Sequence, residues 1–333
     1  SYDIQKLRTL YIGGGTPTAL SAPQLEVLLD GLTKNLDLSV LEELTIEANP
    51  GDLDADKIAI LKNSAVNRVS LGVQTFDDKM LKKIGRSHLE KDIYENIDRL
   101  KLAGFDNISI DLIYALPGQT MDQVKDNVAK AIALDIPHMS LYSLILENHT
   151  VFMNRMRRGK LPLPKEELEA EMFEYIIAEL EKAGFEHYEI SNFSKPGFES
   201  RHNRGYWHMT PYLGLGAAAH GYVDGERWVN EADIPAYIRA VRAGTCVRTP
   251  EDGARTRERE MEEYAFLALR TAEGIDAADF HRRWGRDLEE VYGAVIAHYA
   301  TLGLLRHTAA GAALTAAGMK LGNEVFAAFL LEE

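Results

Sequence analysis

The sequence runs to 333 residues with 46% hydrophobic residues, 26% charged residues and a formal net charge of −14. That length buries a full core and suits one large domain plus a smaller one. No apolar run reaches the length of a membrane span and no signal-peptide pattern opens the chain, so a cytoplasmic protein is expected. The acidic balance argues against a general nucleic-acid surface, which needs basic residues to neutralise phosphates; the local group Arg155, Arg157, Arg158 and Lys160 reads as a solvated loop. A single cysteine, Cys246, rules out an internal disulfide and any cluster held by several cysteines of this chain.

From Leu7 to about Glu147 short apolar runs alternate with longer amphipathic stretches. Strands are expected at Arg8–Ile12, Glu43–Glu47, Arg68–Leu71, Ile108–Ile113 and His138–Tyr142, each short enough to be a buried parallel strand. Helices are expected at Ala22–Asn35, Ala55–Asn63, Lys91–Ala103 and Met121–Leu134, where apolar residues recur at spacings near three and four. This rhythm fits a closed or partly closed parallel barrel, and a doubly wound open sheet would give a similar pattern.

Polar residues collect where strands end. The first strand runs into "GGGTPTAL", whose glycines leave bare backbone that a ligand can approach, or simply form a strand-to-helix turn. The loop is not a phosphate-binding P-loop, since no Gly-Lys-Ser/Thr follows. Glu47 and Asn49, Gln74 and Asp111 stand at or near the carboxyl ends of other strands, the place where parallel α/β folds assemble ligand sites from several segments. Singly, each has a plain structural explanation: a turn, a helix cap, a buried acid tied to backbone. Jointly they point to a site.

Beyond the barrel pattern, Lys165–Gly184 reads as another amphipathic helix, followed by the strand-like "HYEISNFS". The segment "RHNRGYWHMTPYLGLGAAAHGY" is dense in His, Tyr, Trp and Gly and reads as loops lying over a pocket. From about Thr256 a separate unit is expected, with helices near Arg257–Thr271 and Leu288–Leu302, then a short hairpin and a last helix, the pattern of a small winged-helix module. Its helices carry no concentrated basic recognition face, so packing rather than nucleic-acid binding is expected. The division is 1–195 for an α/β barrel domain, 196–254 for a connecting segment over the pocket, and 255–333 for the winged-helix-like α+β domain.

The string "LYIGGGTPTAL…LTIEANPGDL…NRVSLGVQTFDDKMLKKIGRSH…ISIDLIYALPGQT" resembles the oxygen-independent coproporphyrinogen III oxidase family of radical S-adenosylmethionine (SAM) proteins, over nearly the whole chain. Within it, "RHNRGYW" is similar to the His-Asn-x-x-Tyr-Trp signature of the haem-chaperone branch. The resemblance implies a partial (β/α) barrel and a chaperone that binds haem and SAM and passes haem to acceptor proteins, with the oxidase's radical decarboxylation of porphyrinogen propionates as the first alternative. A haem carrier with a vestigial SAM site, and an ordinary barrel enzyme with no SAM, are further alternatives. The resemblance implies a SAM site lined by Gly14, Gly15 and Thr16, with Glu47, Gln74, Arg86 and Asp111 holding polar groups and Ile145 and His220 flanking it. It implies haem contacts from His202, Tyr206 and Trp207, with His202 as the haem residue and candidate iron ligand, and His208 and His220 as alternative ligands. A homodimer is a further expectation. The family's [4Fe–4S] cluster takes three thiolates from a Cys-x3-Cys-x2-Cys loop upstream of the glycine run, and this sequence has no such loop. Loss of an amino-terminal segment is the expected reason, since a barrel without its first strand leaves an unpaired edge beside Arg8–Ile12.

Overall fold

In the computed structural model, residues 7–146, 148, 151–158, 161–250 and 256–331 are described. The expected domain border at 254/255 and Lys160 of the basic group lie outside them. Two compact units are present, Ser1–His202 and Asn203–Glu333.

The first unit contains β1 (Thr9–Ile12), α1 (Ala22–Asn35), β2 (Glu43–Ala48), α2 (Ala55–Lys62), β3 (Arg68–Gln74), α3 (Asp78–Lys83), α4 (Glu90–Leu102), β4 (Ile108–Tyr114), α5 (Met121–Ala133), β5 (His138–Ser143), α6 (Val151–Arg157), α7 (Glu166–Lys182), β6 (Glu186–Glu189) and β7 (Asn192–Ser194). Local chemistry sets the helix starts. Asp54 caps α2 by accepting from Lys57 N–H, and Thr120 with Gln123 forms a capping box at α5. The stretch "HYEISNFS", expected as one strand, is instead the hairpin β6–β7, the chain reversing at Ile190-Ser191 so that the two strands pair antiparallel.

One sheet takes the order β1-β2-β3-β4-β5-β7-β6, with the first five strands parallel. This order decides between the two architectures that periodicity left open. Parallel crossovers are right-handed, so strands added always on the same side put every helix on the same face. A doubly wound sheet needs a reversal of strand order, and β1 to β5 have none. The result is a half-barrel with one helix-covered outer face and one inner face.

The outer face is apolar: Leu44, Ile46, Val69, Leu71, Ile108, Ile110, Met139 and Leu141 join Leu25, Leu29, Ile58, Ile93, Ile97, Val124 and Val128 of the helices in one core. The inner face is polar. The registers set Thr9 beside Glu43, Tyr11 beside Thr45, Glu47 beside Ser70, Ser109 beside His138, and Asp111 beside Ser140. A packed barrel interior is usually built from branched apolar residues; here it is hydroxyls, carboxylates and an imidazole.

The helix α8 (Arg201–Trp207) begins at the end of the first unit. It corrects the expectation of a loop across "RHNRGYW". The second unit continues with β8 (His220–Val223), β9 (Glu226–Asn230), α9 (Ile234–Ala243), β10 (Arg248–Pro250), α10 (Arg257–Leu269), β11 (Ile275–Asp276), α11 (Ala277–Trp284), α12 (Leu288–Thr301), β12 (Leu305–Thr308), β13 (Gly311–Leu314), α13 (Ala316–Lys320) and α14 (Gly322–Ala327). The antiparallel sheet β10-β9-β8 had no counterpart among the expected elements, because its strands are short and rich in Gly, Trp and charge. The sheet β11-β13-β12 with α10, α11 and α12 makes the winged-helix-like part. Its core is aromatic: Tyr264 and Trp284 rings lie 5.0 Å apart, and Tyr292 and Phe329 also 5.0 Å. Among the described residues no helix is long and apolar enough to cross a membrane.

Candidate functional site

Six of the residues that the family resemblance assigned to a SAM site line one cavity at the carboxyl ends of β1 to β4. Gly15, Thr16, Glu47, Gln74, Arg86 and Asp111 surround a space of about 110 Å³, joined by Ala48, Asn49, Ser70 and Gly72. Gly14 adjoins it through its N–H, which donates to Glu47 Oε2 at 3.3 Å. Ile145 is 80% exposed and is not among the lining residues. His220 opens β8 in the second unit and is exposed there.

The cavity walls are held by a polar lattice. Asn49 donates to Thr16 Oγ1 at 3.2 Å and accepts from Arg86 Nη1 at 2.9 Å, so one amide fixes both the glycine loop and the guanidinium. Gln74 takes φ +68°, a region costly for a residue with a side chain, directly after a register shift between Leu71 and Gln74. The strain and the bulge together turn Gln74 into the cavity. Tyr11 donates to Glu47 Oε1 at 2.6 Å.

Charge is unevenly eased. Burial pushes the Asp111 carboxyl up to about 6, opposed by a hydrogen bond from Ser140, reinforced by the nearby Glu47 charge, and opposed again by Arg68 and by the Ser70 hydroxyl. Burial also pulls Arg86 below the usual guanidinium range, and Asp111 partly restores it. Two carboxylates and one guanidinium around a small space match a ligand bearing both an ammonium and a carboxylate, with a cationic centre tolerated by the acids. At about 110 Å³ the cavity is well under the roughly 300–1,000 Å³ of a pocket for a whole drug-sized ligand. It suits the amino-acid end of a larger molecule whose remainder extends beyond it.

His202 belongs to the inner face. Its Nδ1 lies 2.9 Å from Thr9 Oγ1, and its ring stacks on Tyr11 with centroids 5.2 Å apart and planes at 25°. Its N–H and that of Arg201 donate to the two oxygens of Glu43, at 3.0 and 2.9 Å. Burial lowers the imidazole's proton affinity while the Glu43 charge opposes that fall. A half-buried imidazole kept neutral is a competent metal-ligand type.

The other aromatic candidates are described within the second unit. Tyr206 meets Tyr212 edge-on at 4.7 Å, and burial pushes its phenol up to about 12. Trp207 carries the Arg270 guanidinium over its ring at 4.6 Å. His208 Nε2 is 3.3 Å from Glu273 Oε2, a contact that leaves its Nδ1 as the other ring nitrogen. Sequence reasoning passed over Tyr11, Ser70, Ser140 and Glu43. The strict alternation in "ELTIEA", polar at every second position, was the signal that one face of the sheet is not core.

Comparison with known proteins gives this site a context. Residues 2–131 match the Radical SAM superfamily, and residues 256–321 match the HemN C-terminal domain. The heme chaperone HemW of Lactococcus lactis is 51% identical over 333 residues, covering 100% of this chain and 87% of that relative. The chain belongs to the HemW family. A second HemW, from Bacillus subtilis, is 45% identical over 328 residues, covering 98% of this chain and 86% of its own length. The solved structure of coproporphyrinogen III oxidase (HemN) from Escherichia coli, a radical SAM enzyme, superposes with a TM-score of 0.83 at 22% identity, covering 98% of this chain and 78% of that one. At that identity the likeness concerns the fold.

Radical SAM membership implies SAM and an iron–sulfur cluster. The cavity fits the amino-acid end of SAM: Arg86 can face its carboxylate, Glu47 or Asp111 its ammonium, and the open backbone at Gly15, where an added Cβ would meet nothing within 4 Å, leaves room for it. The residues of this chain do not fit the cluster. Its one cysteine, Cys246, is exposed on the second unit, and no group of three or more His, Cys, Asp or Glu among the described residues could hold a metal ion.

Proposed function

We propose that this chain is a haem chaperone that binds haem at His202, binds SAM at the strand-end cavity, and passes haem to acceptor proteins. The observation that carries the reading is the 51% identity to a relative named heme chaperone that extends over the whole chain. The polar inner face supports it. An imidazole oriented by Thr9 and Tyr11, with its helix start tied to Glu43, is built for a task other than packing. The chain's own residues then have simple parts: His202 offers nitrogen to the haem, Arg86 and the two acids orient SAM, and Asn49 keeps Arg86 and the glycine loop in register.

The test is a haem titration of wild type, His202→Ala and His208→Ala, read by the Soret band with circular dichroism as the folding control. Wild type and His208→Ala are expected to bind haem alike, and His202→Ala to bind at least tenfold more weakly, about 1.4 kcal/mol or more. Loss of binding in His208→Ala but not in His202→Ala would move the ligand to His208. Absence of haem binding in wild type, with coproporphyrinogen III consumed by a full-length form that carries the cysteine loop, would replace the chaperone reading by an oxidase.

A further inference from the structure

The proposed haem residue and the proposed SAM cavity share one side chain, Tyr11. Its ring stacks on His202 at 5.2 Å, and its hydroxyl donates to Glu47 Oε1 at 2.6 Å. The other Glu47 oxygen accepts from Gly14 N–H at 3.3 Å. The same ring presses on the glycine loop: a Cβ added at Gly13 would stand 2.6 Å from Tyr11 Cε1 and 2.8 Å from Glu47 Cδ. Loop backbone, carboxylate, phenol and imidazole therefore form one continuous chain of contacts.

We propose that Tyr11 is a positioning residue through which a ligand in the strand-end cavity weakens haem binding at His202; the inference rests on the function proposed above. Glu47 is the point of competition. A ligand ammonium or ribose hydroxyl that enters the cavity takes hydrogen-bonding capacity from the carboxylate on which the Tyr11 hydroxyl depends. A buried hydroxyl that loses its acceptor moves to find another, and the ring moves with it off the imidazole. The Tyr11 hydroxyl is the donor in its bond to the Glu47 carboxylate, which can only accept. His202 keeps its bond to Thr9 and its helix-start anchor on Glu43, so the effect is a weakening and not a loss. The sign suits a carrier: loading of the cavity favours release of haem. By thermodynamic linkage haem must weaken the cavity ligand by the same factor.

The experiment titrates haem into the full chain by the Soret band with and without saturating SAM, and SAM with and without haem by calorimetry. Wild type is expected to bind haem about fivefold more weakly with SAM present, at the lower end of the usual range of coupling, and SAM about fivefold more weakly with haem present. Tyr11→Phe keeps the ring and removes only the hydroxyl; it is expected to bind both ligands with haem affinity changed by SAM less than about twofold. A merely structural Tyr11 would lower both affinities in the variant and leave their mutual dependence intact, which would overturn the inference. So would a wild type that binds both ligands independently, whatever the variant does. If wild type binds haem but not SAM, or neither, the function proposed above loses that part and the inference falls with it.

Discussion

Along β2 the residues Leu44, Ile46 and Ala48 face outward and Glu43, Thr45 and Glu47 inward, yet Ile46 and Thr45 are both 0% exposed and Glu43 only 2%. Along most of β2 the two faces are equally dry, and only Glu47, at the cavity, is partly exposed. They differ in what burial does to them. Outside, each side chain gains the transfer free energy of apolar surface and close contact with helices. Inside, each polar group loses its hydration and recovers it only through a specific partner: Glu43 with the α8 N–H groups, His138 with Ser109 and Tyr188, Tyr11 with Glu47. A face so arranged contributes little net stability and a great deal of shape. The lesson is that one sheet separates the residues that hold the fold from those available to a ligand.

The sharpest way to break that division is to cut each face in turn. Ile110, 0% exposed on the outer face, should lose about 2–5 kcal/mol of stability on Ile110→Ala, the range for a buried large-to-small change, while SAM and haem affinities hold. Urea denaturation measures it, and a loss below about 1 kcal/mol would mean the outer face is not where stability resides.

Asp111 gives the opposite sign. Its carboxyl is raised to about 6 by burial, so folding favours the neutral acid. That stabilising preference is fully present below the ordinary carboxylate value and is lost as pH rises through about 6, leaving a buried charge at neutral pH. Asp111→Asn should therefore stabilise the ligand-free protein by on the order of 2 kcal/mol at pH 7 and by little at pH 4, while weakening SAM. Equal stability of the two proteins across that window would show that the inner face carries no such burden.

The smallest effect belongs to Glu43→Gln. The amide keeps an oxygen for the α8 N–H groups but loses the charge, which should cost about 1 kcal/mol by thermal unfolding and loosen His202. A change in haem affinity without any change in melting temperature would separate anchoring from stability.

Much of the first unit was legible in the sequence. Helix α1 falls on its expected limits because Ser21, Pro23 and the apolar spacing all act within a few residues. The existence of β1 to β5 followed from composition, although β3 extends three residues past its expected end to reach the strained Gln74. Strand order was not legible, since no local pattern records which strand lies beside which. Nor was α8: its start is satisfied by Glu43, 158 residues earlier in the chain for Arg201, and it contains Gly205, a poor helix former. At the site, Glu47, Gln74 and Asp111 could be picked out as polar groups at strand ends. Arg86 came only with the family resemblance, because a lone arginine after a short helix looks like a solvated charge. Tyr11, Ser70 and Ser140 were hidden for another reason: hydroxyl-bearing residues are ordinary in strands, and only the register reveals that theirs face a common interior.

Three adjacent glycines open the barrel's ligand end, and they are not interchangeable letters. Gly13 is small because Tyr11 and Glu47 already occupy the place of its missing Cβ. Gly14 is glycine because the backbone there takes φ +89°, with ample room around it. Gly15 has neither constraint: among the described residues nothing lies within 4 Å of the place of its Cβ. A repeated symbol thus encodes a steric demand, a torsional demand and an open space, and reading them apart requires knowing which neighbour each one faces.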